Sequence, residues 1–170
     1  EVINVAPTIS SDGVTLDSVQ EGQASTLNLT AVSLSDLNER DQLKVTLSVD
    51  SGALSATENS YVTVTENEDG SVSLYGFASD IEDFLVDGVE FTSALAEGDQ
   101  TVNLGLQVTD GQYAVNANPL TFTVTDGVVT GEIIHWANGK VMNNFTFSNG
   151  SENFITDASG NYTMGSEKTN

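Results

Sequence analysis

Apolar and polar residues alternate in several short segments of this sequence. The clearest segment is 101–111, where apolar side chains occupy positions 102, 104, 106 and 108. A period of two is typical of a β-strand that buries one face. The pattern therefore predicts a strand that ends in a loop at Asp110 and Gly111, and this strand anchors the predicted fold.

Other segments have the same short, strand-like pattern and are separated by turn-forming residues. They are 14–19, 26–34, 43–49, 61–65, 71–75, 89–92 and 120–125. The apolar positions shift phase at Val32, which indicates a β-bulge. The Glu-Asn-Glu-Asp-Gly run at 66–70 predicts a hairpin turn. Short strands with so little helix favour an all-β sandwich.

One short helix is predicted between Ser79 and Gly88. Ser79 and Glu82 have the spacing of a capping box, in which the side chains at the two positions satisfy free backbone amides. Ile81, Phe84 and Leu85 follow at positions that share one side of a helix. We expect one or two helical turns that end before Gly88.

The 170 residues fit one domain plus a fragment of another. We place the boundary at Asp126-Gly127, giving a sandwich at 1–126 and a partial second β module at 127–170. Segments 129–135, 145–147, 153–155 and 162–164 are its predicted strands. About forty residues rarely bury enough surface to fold alone, so we expect this tail to dock or to pair with another chain. The abrupt start at Glu1 indicates a piece of a longer polypeptide.

The chain is strongly acidic, with 25 Asp and Glu residues against four Lys and Arg, a formal net charge of -21. This charge argues against nucleic acid and anionic membranes as partners. No apolar run is long enough for a membrane helix, so we expect no membrane insertion. Cysteine is absent, which excludes disulfides and thiol chemistry. The composition favours an extracellular, secreted protein that binds divalent cations in place of covalent cross-links.

Calcium is the cation that these residues favour, because it takes six to eight oxygen ligands from carboxylates, carbonyls and water. The densest set of side-chain oxygens is Asp36, Asn38 and Asp41. Asp36 and Asn38 lie two residues apart and project to one side of an extended segment. We expect Asp110 at the same end of the sandwich, with Asn4 closing the site.

A second cluster is predicted at the opposite end, from Glu21, Asp126 and either Glu97 or Asp99. The alternative for both clusters is that these residues simply form solvated turns, since Asp and Asn bond their own backbone there. Convergence of several like charges without a cation would be costly, which favours metal.

Enzymatic activity is not predicted. His135, beside Trp136, is the one histidine, no Gly-x-Ser-x-Gly motif occurs, and nothing distinguishes one carboxylate pair as that of a glycoside hydrolase. Carbohydrate binding is the stronger alternative, through exposed aromatic rings. The candidate aromatic residues are Tyr61, Tyr75, Tyr113, Trp136 and Tyr162. Aromatics also suit strand and core positions, so packing remains open for each.

Residues 4–126 carry an ordered series of short motifs. They are Ala6-Pro7-Thr8-Ile9, Val19-Gln-Glu21-Gly22, Leu34-Ser-Asp36-Leu-Asn38, Leu43-Lys-Val45-Thr-Leu47, Gly52-Ala-Leu54, Leu74-Tyr-Gly76, Asp80-Ile81, Phe84-Leu85 and Leu106-Gln-Val108-Thr-Asp110-Gly111. In this order they resemble a bacterial cadherin-like, immunoglobulin-like repeat of large secreted RTX-type adhesins.

That resemblance implies calcium at the junctions between modules, held by Glu21, by Asp36 with Asn38, and by Asp110. Asn38 stands where such modules have an acid, which removes one charge. The resemblance also implies cell adhesion as the role. Its expected partners are neighbouring modules of the same polypeptide and a cell-surface or polysaccharide ligand.

The tail resembles the start of a carboxypeptidase-regulatory-like, or transthyretin-like, β module. The matching motifs are Gly131-Glu-Ile133, Gly139-Lys140, Phe145-Thr-Phe147 and Thr156-Asp157-Ala-Ser-Gly160-Asn-Tyr162. Those modules continue beyond this last strand. An unfinished module has open strand edges, so a homodimer through the tail is predicted.

Overall fold

A computed structural model describes residues 3–38, 42–94, 98–126, 129–148 and 153–164. The chain divides into two compact units. The first lies within Glu1–Ala96 and Gln100–Thr125, and the second within Glu97–Asp99 and Asp126–Asn170.

The first unit contains twelve of the described strands and one helix. In chain order they are β1 (Thr8–Ser10), β2 (Val19–Gln20), β3 (Ala24–Thr26), β4 (Ser33–Ser35), β5 (Leu43–Val49), β6 (Ala53–Ala56), β7 (Thr63–Glu66), β8 (Val72–Gly76), α1 (Ala78–Phe84), β9 (Val89–Thr92), β10 (Gln100–Thr109), β11 (Ala114–Asn116) and β12 (Leu120–Thr125). The predicted all-β fold with one short helix is confirmed.

These strands form a sandwich of unequal sheets. The larger sheet has the order β2-β12-β10-β5-β8-β7, with β11 also paired to β10, and the smaller one has the order β3-β9-β6. β1 and β4 form a separate antiparallel pair. The β2–β12 pairing is parallel, whereas the pairs that β10 makes with β5 and β12 are antiparallel. The anchor strand predicted at 101–111 is therefore the long β10, inside the larger sheet.

The apolar residues of the alternating segments form the core of this unit. Val102, Leu104, Leu106 and Val108 of β10 are at most 2% exposed, and the inward residues of β5 and β8 are buried beside them. Phe91 of the smaller sheet meets Phe122 of the larger sheet edge to face, with ring centroids 4.9 Å apart. Burial of this apolar surface is the main force that holds the two sheets together.

The predicted hairpin at 61–75 is confirmed. β7 and β8 are antiparallel with Thr63 opposite Tyr75 and Glu66 opposite Val72. Gly70 ends the turn at φ +81°, a conformation that glycine adopts without steric cost. Asn67 and Asp69 bond the backbone and side chain of Ser71, so the turn residues are used within the hairpin itself.

Two strand predictions were wrong in extent. The segment 26–34 is not one bulged strand, because β3 ends at Thr26, β4 begins at Ser33, and the two belong to different sheets. Leu27 and Leu29 leave the sheet and bond the carbonyls of Val89 and Leu85 instead. The phase shift therefore marked a change of sheet. Of the segment 14–19, only Val19 is in a strand.

The helix forms where it was predicted, but its capping box does not. Phe77 is the N-cap residue of α1 and no side chain caps this end. Glu82 instead accepts a 2.6 Å hydrogen bond from the amide of Leu34. Ile81 and Phe84 are the buried residues of the helix, and with Leu85 they belong to the core.

The second unit contains four short strands, paired two by two. They are β13 (Val129–Glu132), β14 (Thr146–Ser148), β15 (Asn153–Ile155) and β16 (Asn161–Met164). β13 pairs with β16, β14 pairs with β15, and an isolated bridge joins Ile134 to Val141. Strands were predicted at all four places.

No helix in the described part of the chain has the length and apolar character needed to span a membrane.

Candidate metal site at one end of the sandwich

The predicted ligands Asp36 and Asp110 come from two loops that the sheet register brings to one end. β5 and β10 are antiparallel, with Lys44 near the start of β5 opposite Thr109 at the end of β10. The loop that leads into β5 therefore lies beside the loop that leaves β10. The side-chain contacts below join both loops to the segment that enters β1.

Asp110 is held rigidly at the end of β10. Its Oδ1 accepts hydrogen bonds from the amides of Gln112 at 2.8 Å and Tyr113 at 2.7 Å. The Tyr113 amide bond is the largest cause that lowers the pKa of Asp110 below its ordinary value. Burial opposes it, while the bonds from Gln112 and Asn4 add to it. The carboxylate is thus stabilised in the charged form that a cation requires.

The entering segment is tied to both loops. Asn4 Nδ2 donates to Asp110 Oδ2 at 2.9 Å and to Gln112 Oε1 at 2.8 Å. The amide of Val5 donates to Asn38 Oδ1 at 3.3 Å. These contacts link residues more than thirty positions apart, so they fix the direction in which the chain enters the sandwich.

Asp36 has one oxygen bonded and one oxygen without a partner. Oδ1 accepts a 2.8 Å bond from the amide of Asn38, the turn bond expected of an Asp in a loop. Oδ2 is fully buried and makes no hydrogen bond. A buried acceptor without a partner costs free energy, more so when the group is charged. This oxygen is the unsatisfied group of the site.

An open cleft of about 320 Å³ adjoins Asp36. It is lined by Leu34, Ser35, Asp36, Asn38, Leu43, Phe77, Ala78, Ser79 and Glu82. Glu82 thus brings a second carboxylate to the cleft from α1. The capping-box spacing was the one sequence feature that singled out Glu82, and nothing singled out Gln112. Both residues reach the site only through tertiary packing.

The oxygens at this end fit a calcium ion in type, with carboxylates and amide oxygens together. Among the described residues, no group of three or more His, Cys, Asp or Glu side chains is arranged to hold a metal. A calcium ion bound by Asp36 and Asp110 would need amide, carbonyl or water oxygens for the rest of its six to eight ligands. Asp41, predicted as a further ligand, lies outside the described residues.

The second predicted cluster is only partly described. Asp99 Oδ1 accepts a 3.1 Å hydrogen bond from the amide of Asp126, so these two acids are neighbours in the second unit. Glu21 belongs to the first unit, where its amide bonds the carbonyl of Thr125 at 3.0 Å. Glu97 lies outside the described residues, and the cluster stays a prediction.

The aromatic candidates for sugar binding differ in their surroundings. Tyr75 lies beneath Lys44, whose Nζ is 5.6 Å from the ring centroid. Tyr162 packs edge to face against Phe147 at 5.0 Å. Tyr113, Tyr61 and Trp136 are exposed, Tyr61 at 72% and Trp136 at 92%. Packing therefore accounts for Tyr162, and Trp136 is the aromatic residue most open to solvent.

No family profile matches the sequence, and a search of curated proteins finds no match. The fold is similar to that of solved bacterial proteins. The C-terminal domain of the Streptococcus agalactiae AgI/II polypeptide BspA has 13% identity and a TM-score of 0.37, with 94% of this chain and 60% of that chain covered. The major pilin subunit BcpA of Bacillus cereus, as its D312A variant, has 13% identity, a TM-score of 0.38, and coverage of 94% and 55%.

The sixth cohesin of Acetivibrio cellulolyticus scaffoldin B, solved with a Cel5 dockerin, has 13% identity and a TM-score of 0.33, with 72% of this chain and 100% of that chain covered. This chain thus spans less than two thirds of the two adhesin and pilin structures. At such identities and TM-scores the similarities carry no inference about function. The chain's own strand order and packing define it as an immunoglobulin-like β-sandwich protein.

Proposed function

We propose that this chain is a calcium-stabilised structural module of a bacterial extracellular surface protein. The ion would bind at the end of the sandwich where Asp36 and Asp110 lie, with Asn38 as an amide ligand. The module would serve adhesion by holding neighbouring modules of the same polypeptide at a fixed angle.

The observation that carries this proposal is the buried, unpartnered Oδ2 of Asp36. An ionised carboxylate oxygen in such a position is stabilised by a cation more than by water, which it cannot reach. Among the described residues, no Lys or Arg forms an ion pair with Asp36 that would supply this charge. A divalent ion is the partner that completes the group.

Bound calcium would supply positive charge to the two carboxylates and join their loops. The protein's own contribution is the hydrogen-bonded frame around them. Asn4 and Val5 already bond the two loops, so an ion there would strengthen the attachment of the entering segment. The link between a preceding module and the sandwich would then be stiffer, which is the mechanical purpose of the site.

A surface location is supported by the acidic, cysteine-free composition, which suits an environment rich in calcium. Twenty-five acids make the free protein repel itself, and bound divalent ions reduce that repulsion.

The test is calorimetric melting with calcium and with EDTA. We expect calcium to raise the melting temperature, since a ligand at a hundred times its dissociation constant stabilises by about 2.7 kcal/mol per site. Asp36→Asn should act in opposite directions in the two conditions. In EDTA it should raise the melting temperature by removing an unpaired buried charge, and with calcium it should abolish most of the gain.

Asp17→Asn is the matched control, because Asp17 is exposed and its substitution removes the same charge. It should leave the calcium gain intact. Magnesium at equal concentration should stabilise less, because it demands a small octahedral shell that this mixed set of oxygens does not offer. Equal melting temperatures with calcium and EDTA, or an equal gain in wild type and Asp36→Asn, would refute the site.

A second function, carbohydrate binding, is favoured by the exposure of Trp136, which is 92%. An indole ring left so open gains nothing from folding and is free to stack on a flat ligand. The two proposed sites use different residues, because Asp36 belongs to the first unit and Trp136 to the second.

A further inference from the structure

Trp136 lies at the tip of a small hairpin, here called the Trp136 hairpin, which comprises residues 134–141. Ile134 and Val141 form its closing bridge. Inside them, the amide of His135 donates to the carbonyl of Lys140 at 2.8 Å, and the amide of Gly139 donates to the carbonyl of His135 at 2.8 Å. The turn is therefore held by its own backbone, and Trp136 is presented on a fixed frame.

The polar side chains of the Trp136 hairpin accept hydrogen bonds from backbone amides of the hairpin itself. His135 Nδ1 accepts a 3.3 Å bond from the amide of Ala137, and Asn138 Oδ1 accepts a 3.0 Å bond from the amide of Lys140. In the neutral imidazole the proton is then on Nε2. His135 Nε2, Asn138 Nδ2 and Lys140 Nζ have no protein partner within the described part of the chain, so the tip offers donors to a ligand.

The sequence around the hairpin lacks the acids that dominate the rest of the chain. The nineteen residues between Glu132 and Glu152 contain no Asp or Glu, although the chain has 25 acids in 170 residues. Lys140 is one of four Lys and Arg residues. The other described lysine, Lys44, is placed over Tyr75, whereas Lys140 is exposed and makes no ion pair with any described residue.

A flat apolar ring among unused donors is complementary to a flat ligand that is rich in acceptors and carries negative charge. We propose that the Trp136 hairpin binds a carboxylate-bearing sugar of an acidic polysaccharide. The sugar ring stacks on Trp136, its hydroxyls accept bonds from His135 and Asn138, and its carboxylate pairs with Lys140. This inference deepens the carbohydrate-binding function above and is independent of the calcium site.

Size favours a sugar over a protein partner. A stable protein interface buries about 800 Å² on each side, whereas a tryptophan side chain buries about 150–250 Å². The tip from His135 to Lys140 is six residues long and has one large apolar side chain. It therefore matches one or two sugar rings, and it is too small to carry a protein complex alone.

The single tryptophan makes the test direct, because emission excited at wavelengths that the four tyrosines do not absorb reports on Trp136 alone. Titration with polygalacturonate, without added calcium, should shift the emission to shorter wavelength and protect it from acrylamide. Dextran, a neutral polysaccharide, should give a much weaker response. Added salt should weaken the binding of polygalacturonate, because part of the affinity is ionic.

Two substitutions separate stacking from charge. Trp136→Ala should abolish binding in calorimetric titration, and its unchanged melting temperature would show that the fold persists. Lys140→Gln should weaken polygalacturonate binding about tenfold, equivalent to about 1.4 kcal/mol, while Lys44→Gln should leave it unchanged. No emission change with polygalacturonate, an equal response to dextran, or equal losses in both lysine variants would overturn the proposal. None of these results bears on the calcium melts.

Discussion

The two units of this chain are built from similar short strands, yet they differ in the interactions that stabilise them. Every apolar side chain that is buried, among the residues whose burial the structure describes, belongs to the first unit. In the second unit the side chain that is buried is polar, that of Thr156, while Ile134, Trp136 and Ile155 are more than half exposed. The first unit is held by a buried apolar core, whereas the second has hydrogen bonds and a small cluster of partly buried rings, Phe147, Phe154 and Tyr162.

Thr156 makes four hydrogen bonds within the second unit. Its Oγ1 donates to the carbonyl of Met142 and accepts from the amide of Phe145 at 2.9 Å. Its amide and carbonyl bond Phe145 and Asn144 as well. A single hydrogen bond contributes a net stabilisation of only about 1 kcal/mol. We therefore expect the second unit to be less stable than the first unit, which has an apolar core. The comparison teaches that strand pattern alone does not measure stability.

The largest predicted effect comes from the core of the first unit. Phe91→Ala should destabilise that unit by about 3–5 kcal/mol, because it removes a fully buried ring that packs on Phe122. Phe147→Ala should destabilise the second unit by less than about 3 kcal/mol, because Phe147 is only partly buried against Phe154 and Tyr162. Hydrogen exchange followed by mass spectrometry measures both units in one sample.

Each substitution serves as the control for the other. Phe91→Ala should speed amide exchange in β5 and β10, and Phe147→Ala should speed it in β14 to β16 only. If Phe147→Ala also loosened β10, the two units would unfold as one and the contrast between them would fail.

Much of the fold was predictable because the alternation of apolar and polar residues shows which side chains of a strand are buried. The buried positions of β5 and β10 follow directly from the period of two, and the hairpin of β7 and β8 from its turn residues. The segment 26–34 was not predictable in the same way. Leu27, Leu29, Val32 and Leu34 are all buried, but the chain changes sheets between them, and a list of apolar positions does not contain that change.

The candidate metal site was predictable in part. Asp36, Asn38, Asp110 and Asn4 join one hydrogen-bonded frame, in agreement with the expected meeting of their loops, although metal binding there stays a prediction. Glu82 and Gln112 were missed, since their approach depends on the docking of α1 and on the turn after β10. The three free donors of the Trp136 hairpin could not be predicted from the sequence either, because they are the donors that remain after the turn has formed its own hydrogen bonds.

A smaller effect is expected from association of the tail. β13 to β16 form two-stranded sheets in the described residues, so backbone groups at their outer edges have no strand partner there. We predict a weak homodimer, detected as a concentration-dependent rise in sedimentation coefficient. Ile155→Lys, on the exposed side of β15, should lower the association, whereas Tyr61→Lys in the first unit should not. A monomer at every concentration would exclude the dimer.

The smallest predicted effect is a difference in pH dependence within the second unit. The amide of Asn161, then that of Ser159, lowers the pKa of Asp157 below its ordinary value. A carboxylate whose pKa is lower in the folded state stabilises that state above its unfolded pKa. This stabilisation is lost as the pH falls through the folded value, so the second unit should weaken below about pH 4. Asp157→Asn should lower its stability at neutral pH and flatten this loss.

Glu132→Gln is the control, because Glu132 is an exposed acid of the same unit and makes no side-chain hydrogen bond with any described residue. Melts of the Phe154 and Thr156 amide signals by NMR, between about pH 7 and pH 3, measure the effect. Asp50, Asp69 and Asp110 also have lowered pKa values, so acid should weaken the first unit too. The apolar core gives the first unit a larger free energy of unfolding, so the second unit should unfold first. If acid unfolded the first unit before the second, burial would not be what distinguishes them.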